Sequence, residues 1–152
     1  MPAVPDSGPK ALTEAAIHDF AVAWYVALDR HVPLAETLGF LHPELEFGVP
    51  EDTFRGHDGF ARWYAAVTKR FFDEVHTVTK VEPDLSGPAD GPVTVRVFVN
   101  WQARIWNPPA DRSEWLGFDA DQTWTVVAGP NGPLIRSYAV NALDPMPGSG
   151  SL

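Results

Sequence analysis

Val93-Thr94-Val95-Arg96-Val97-Phe98-Val99-Asn100-Trp101-Gln102-Ala103-Arg104-Ile105 is the stretch that decides the fold. Val93, Val95, Val97, Val99, Trp101, Ala103 and Ile105 share one face, and Thr94, Arg96, Phe98, Asn100, Gln102 and Arg104 share the other. A strict two-residue period of this length predicts a strand with one face in a core. Val75 to Glu82, Trp115 to Val127 and Leu134 to Leu143 have the same character. The last two are joined across Gly129-Pro130-Asn131-Gly132. The Pro- and Gly-rich segments 83–92 and 107–112 read as loops. They are too short for helical crossovers, so the four strands must pair antiparallel.

Towards the N-terminus the period becomes helical. Thr13 suits an N-cap, and Ile17, Phe20, Ala21, Trp24 and Leu28 follow at helix spacing. Val22, Tyr25 and Val26 widen that stripe, which predicts a helix buried on most sides and ending near Asp29-Arg30. Pro33 fits the first turn of a short second helix ending near Gly39. Leu45 and Phe47 alternate with Glu44 and Glu46 as in a half-buried strand. A turn-rich segment from Gly48 to Gly56 follows. Asp58 then caps a third helix with Phe60, Trp63, Tyr64, Val67 and Phe71 on one face. Three helices covering one face of a curved antiparallel sheet make an α+β layout with a pocket between the layers. One domain is expected over residues 11–143, between loose tails at 1–10 and 144–152.

The chain has 152 residues, 45% of them apolar, which suits one domain with a real core. Eleven Lys and Arg against 20 Asp and Glu give a net charge of -9, which argues against nucleic acid as a partner. The absence of cysteine excludes disulfides, thiolate nucleophiles and cysteine-ligated zinc. The five histidines are scattered without metal-ligand spacing, so no metal is expected. No stretch has the length of apolar residues needed to span a bilayer, and the N-terminus lacks the pattern of a signal peptide. A cytoplasmic protein is expected.

Three further stretches carry a resemblance: Trp24-Tyr25-Val26-Ala27-Leu28-Asp29, Leu41-His42-Pro43-Glu44-Leu45-Glu46-Phe47 and Phe54-Arg55-Gly56-His57-Asp58-Gly59-Phe60. Together with His76 at the next strand and the final hairpin from Gln122 to Ile135, their order resembles the SnoaL-like branch of the nuclear transport factor two-like superfamily. It covers roughly residues 13–143. It implies a cone-shaped fold with a deep pocket, and it brings in polyketide cyclases, dehydratases, ketosteroid isomerases and epoxide hydrolases, along with members of no known activity. The fold alone does not choose among them.

The resemblance places Asp29 and His76 as a facing acid/base pair. A carboxylate that holds one imidazole nitrogen leaves the other free to take or return a proton. The plainer reading makes Asp29 a helix end beside Arg30 and His76 a surface strand residue. Tyr25, four residues before Asp29, shares its helix face and is a candidate oxyanion donor, or else a core tyrosine with a satisfied hydroxyl. Candidate substrate-binding residues are the aromatics Trp24, Phe47, Trp63, Trp101, Trp124 and Tyr138 and the polar Asn100, Gln122 and Asn141. Six tryptophans suit a flat polycyclic ligand or, more simply, a core and an interface. Strand parity points Phe47 inward and Glu46 outward, so a basic carboxylate on the first strand is the weaker alternative. No Asp–Arg–Asp set on adjacent strands supports an epoxide hydrolase.

The expected function is thus a cofactor-independent cyclase, dehydratase or isomerase acting on a hydrophobic, polyketide-like carbonyl compound. The alternative is a non-catalytic small-molecule-binding or dimerisation module of the same fold. The polar and aromatic face of residues 94–106 points to a homodimer formed through the outer face of the sheet.

Overall fold

The computed structural model describes residues 12–152; the expected tail at 1–10 lies outside them. Helix α1 (Glu14–Asp29) starts as the sequence indicates, with the Thr13 hydroxyl accepting from the Ala16 N–H at 3.1 Å. Helix α2 (Leu34–Leu38) and helix α3 (Gly56–Arg70) complete the helical layer. The strands are β1 (Leu41–Val49), β2 (Asp52–Arg55), β3 (Phe71–Asp84), β4 (Val93–Ile105), β5 (Glu114–Gly129) and β6 (Gly132–Pro145). They form one sheet in the order β2-β1-β6-β5-β4-β3. All neighbours are antiparallel except β1 and β6, which run parallel. Among the described residues no helix is long and apolar enough to cross a membrane.

Several expectations need correction. The segment after Gly48 contains β2, which pairs with β1 through Phe47 and Phe54. Helix α3 begins two residues before Asp58, so Asp58 lies in the first turn and Arg55 is the N-cap. Helix α1 is more one-sided than its composition suggests, because Val22 and Val26 face outward. The chain from Met146 onward is tied down along the backbone of β5, continuing the line of β6. The Met146 N–H donates to the Gly117 carbonyl at 2.8 Å, and the Gly150 N–H to the Trp115 carbonyl at 3.0 Å.

The main core lies between α1 and the inner face of the sheet. It joins Ile17, Trp24 and Leu28 to Val95, Val97, Trp124 and Ile135. A smaller cluster of Phe71, Ala103, Ile105, Leu116 and Phe118 fills the far end of β4 and β5. Burial follows strand parity on β4: odd residues point inward and even residues outward.

On β3 the parity is broken by a bulge. Phe72 pairs with Arg104, but the next pairing is Val75 with Gln102. Asp73 and Glu74 on β3 therefore oppose the single Ala103 on β4. Phe71 faces inward opposite Ile105, and an unbroken strand would carry Val75 inward too. The extra residue reverses that, so Glu74 and His76 turn inward instead, His76 opposite Trp101. Asp73, inside the bulge, holds a left-handed backbone with φ 50°.

Candidate functional site

The end of α1 and the start of β3 meet across this bulge. The His76 Nδ1–H donates to Asp29 Oδ1 at 2.5 Å, and the His76 backbone N–H donates to Asp29 Oδ2 at 2.8 Å. An ionised carboxylate only accepts, so a ring proton sits on Nδ1, and in the neutral imidazole Nε2 carries the lone pair. Nε2 has no partner among the described residues, and it is not sealed from solvent. The two side chains are only 12% and 19% exposed, which keeps most water away from the pair.

The imidazole is sandwiched. Tyr25 stacks on one side at 4.7 Å between centroids, and Trp101 lies nearly parallel at 6.1 Å. Trp101 in turn packs against Phe71 and Phe118.

Beneath the imidazole lies a buried polar cluster. The Tyr25 hydroxyl donates to Gln122 Oε1 at 2.6 Å, and the Trp124 indole N–H donates to the same oxygen at 3.1 Å. The Tyr138 hydroxyl meets that of Tyr25 at 3.1 Å. With the Tyr25 proton committed to Gln122, Tyr138 is the donor of that contact. Two donors on Oε1 also fix the amide orientation of Gln122 and turn its NH2 group the other way. That NH2 group has no acceptor among the described residues and is not sealed, although the residue is only 4% exposed. Burial, and then the neighbouring Tyr138, push the Tyr25 phenol well above the ordinary tyrosine range. Burial pushes that of Tyr138 up to about 12. Both stay neutral donors at any physiological pH.

The other candidates sort by strand face. Trp24, Phe47 and Trp124 are fully buried, with Phe47 stacked on Tyr138 at 4.5 Å; Trp63, half-buried, packs on Phe47 and Phe60. The hollow between α1 and the sheet is filled by these rings. The Trp24 indole nitrogen is sealed there without a partner. Asn100 and Asn141 stand on the outer face instead. Asn100 bonds Asp119 and Met146 there, and Asn141 bonds Asp121 and Thr123. Asn100 is an even-numbered β4 residue, and Asn141 is the extra residue of a bulge on β6, so neither side chain reaches the hollow. Glu46 is exposed and paired with Arg55, as strand parity indicated.

Sequence reasoning missed two residues of this site, His31 and Glu74. The His31 Nε2–H donates to Glu74 Oε2 at 2.5 Å, and the Trp101 indole N–H donates to Glu74 Oε1 at 3.3 Å. Glu74 was hidden by the bulge. The signal at His31 was its place two residues beyond Asp29, at the helix end.

No protein-family model matches the chain, and no curated protein matches it. Solved structures do. Hexachlorocyclohexane dehydrochlorinase LinA type 2 superposes with a TM-score of 0.72 at 15% identity, over 91% of this chain and 91% of that one. The dehydrochlorinase LinA-type3 from Novosphingobium barchaimii LL02 gives 0.70 at 17% identity, over 91% and 92%. ActVI-ORFA from Streptomyces coelicolor gives 0.65 at 18% identity, over 86% and 96%. These likenesses give the chain the cone-shaped, nuclear transport factor two-like fold.

Proposed function

We propose that the chain is a cofactor-independent lyase or isomerase that moves a proton beside the carbonyl of a hydrophobic, polyketide-like compound. The observation that carries this reading is the Asp29–His76 pair, with Nδ1 held by the carboxylate and Nε2 unshared. His76 Nε2 takes a proton from the carbon next to the carbonyl. The electron pair of the broken C–H bond moves into a new C=C bond, and the carbonyl oxygen gathers negative charge. The imidazolium is stabilised by Asp29 and by the ring faces of Tyr25 and Trp101. In a dehydration the enolate oxygen re-forms the carbonyl, the enolate C=C pair moves into a new Cα=Cβ bond, and the C–O bond breaks as the imidazolium protonates the β-hydroxyl, which leaves as water. In an isomerisation the imidazolium returns the proton to another carbon.

The donor for the charged oxygen is the Gln122 amide rather than the Tyr25 hydroxyl, because the Tyr25 proton is already given to Gln122. Tyr25 acts indirectly, by fixing the amide and covering the imidazole. Among neighbours of the same fold, a hexachlorocyclohexane dehydrochlorinase supports an elimination or related chemistry here.

The test begins with ligand capture from the native host extract and mass spectrometry, followed by turnover of the captured compound. General-base catalysis contributes roughly 10²–10⁴-fold. His76→Ala is expected to lose about that much in kcat, and Asp29→Asn a large share of it. Unchanged kcat in His76→Ala removes the mechanism.

The aromatic filling of the hollow favours one second reading, a structural dimerisation module without turnover. A dimeric wild type that captures no ligand from the extract would support it. The proposal also includes a cytoplasmic homodimer formed through the outer sheet face. There Arg96 and Asp121 pair beside Phe98, which rests under the guanidinium.

A further inference from the structure

Two left-handed, non-glycine backbones occur among the described residues, at His31 (φ 49°) and Asp73 (φ 50°). Each flanks the Asp29–His76 pair. His31 follows the C-cap of α1, and the helix closes by a paired turn. The His31 N–H donates to the Leu28 carbonyl at 3.1 Å, and the Val32 N–H to the Ala27 carbonyl at 3.3 Å. Glycine is the usual residue at this place, because a side chain there costs about 1–2 kcal/mol. A histidine kept in such a backbone is held by something else. Here that is Glu74, only 10% exposed in its side chain.

The result is two carboxylate–imidazole pairs that cross between the same two segments in opposite senses. Asp29 on α1 grips His76 on β3, and Glu74 on β3 grips His31 beyond α1. Glu74 uses its second oxygen to hold the Trp101 indole, and that indole lies over His76. The negative charge of Glu74 also reaches the nearby Tyr64, whose hydroxyl is pushed up by burial first and by Glu74 next.

We infer that Glu74 is a positioning residue for His76. It fixes Trp101 as the outer wall of the imidazole sandwich, and His31 latches Glu74 in place. The catalytic meaning rests on His76 being the working base, but the geometry can be tested without turnover.

The experiment is NMR of the full-length protein with labelled histidine and tryptophan. It reads the ring protons of His76, shifted by the neighbouring rings, and the indole N–H of Trp101. In Glu74→Ala, the Trp101 N–H loses its carboxylate-bonded shift and exchanges faster with water, and the His76 ring protons move as the Trp101 face leaves them. Glu74→Gln keeps an oxygen acceptor for the indole and restores both signals towards the wild type. His31→Asn tolerates the left-handed backbone but is too short to reach Glu74. It shifts both residues in the same direction as Glu74→Ala. With Trp101→Leu as background, Glu74→Ala produces no further movement of His76, because the influence passes through the indole.

Glu74→Ala in a folded protein with His76 signals unmoved overturns the inference. So does an equal effect in the Trp101→Leu background. Should Glu74→Ala fail to fold, the comparison of Glu74→Gln with His31→Asn decides: both unchanged at His76 and Trp101 overturns it, and a shift in His31→Asn alone supports it. Loss of catalysis in His76→Ala is a separate readout, so failure here and failure of the proposed chemistry are distinguishable.

Discussion

Tyr138 passes its proton towards Tyr25, and Tyr25 passes its own to Gln122, so three buried side chains share one direction of donation. Breaking it by ionisation is costly, which gives a pH signature. The folded-state value of Tyr138 is about 12, above the unfolded 10.0, and that of Tyr25 is raised as well. Between those values the unfolded chain has lost the protons and the folded one keeps them. Stability is therefore fully present below pH 10 and falls as pH rises beyond it, by about 1.4 kcal/mol per pH unit for each such tyrosine. Urea unfolding measured from pH 8 to 11 is expected to show that loss, and Tyr138→Phe to show a shallower one. Several features of this scale were legible in the sequence. The resemblance named Asp29 and His76, helix spacing added Tyr25, and these three side chains meet in space, while their catalytic roles belong to the proposal. The commitment of the Tyr25 proton to Gln122 was not legible, because it depends on a contact between residues 97 positions apart.

At the scale of the element, the bulge at the start of β3 decides which side chains face α1. Helix and strand periods recovered the order of the main elements, since apolar spacing is set by local geometry. The bulge has no periodic signature, and it inverts the faces that unbroken alternation from Phe71 would give to Val75 through Val78. The same effect, on β6, sends Asn141 outward. Asp73 allows the left-handed backbone that the β3 bulge uses. Asp73→Val puts a β-branched side chain there and is expected to cost about 1–2 kcal/mol in chemical denaturation. Asp73→Gly is expected to keep wild-type stability within about 1 kcal/mol. Deletion of residue 73 leaves two steps on each strand between Phe72–Arg104 and Val75–Gln102, so it removes the bulge while keeping Glu74 and His76 inward. The low-field signal of the Asp29-bonded His76 N–H is then expected to persist, whereas an alanine inserted after residue 73 turns His76 outward and abolishes it.

Across the whole molecule, the chain separates a polar outer sheet face from an aromatic-filled inner one. The C-terminal stretch closes the outer face over Gly117, where Trp115 and Met146 leave no room for a side chain. That stretch was legible only as small residues and prolines, since nothing in its composition states that its N–H groups find β5. Sedimentation velocity is expected to give a dimer for the wild type and a monomer for Phe98→Asp, with the Asp29–His76 signals intact in both. A monomeric wild type would remove the interface from the proposal. The proposed chemistry stands on His76 taking a proton from carbon. The most direct measurement is deuterium uptake, followed by NMR in D2O, at the α-carbon of the captured ligand and of a panel of bicyclic β-hydroxy ketones. The wild type is expected to exchange that position above the buffer rate, with His76→Ala falling back to it. Equal exchange by the two proteins, or none by the wild type, rules out His76 as the base.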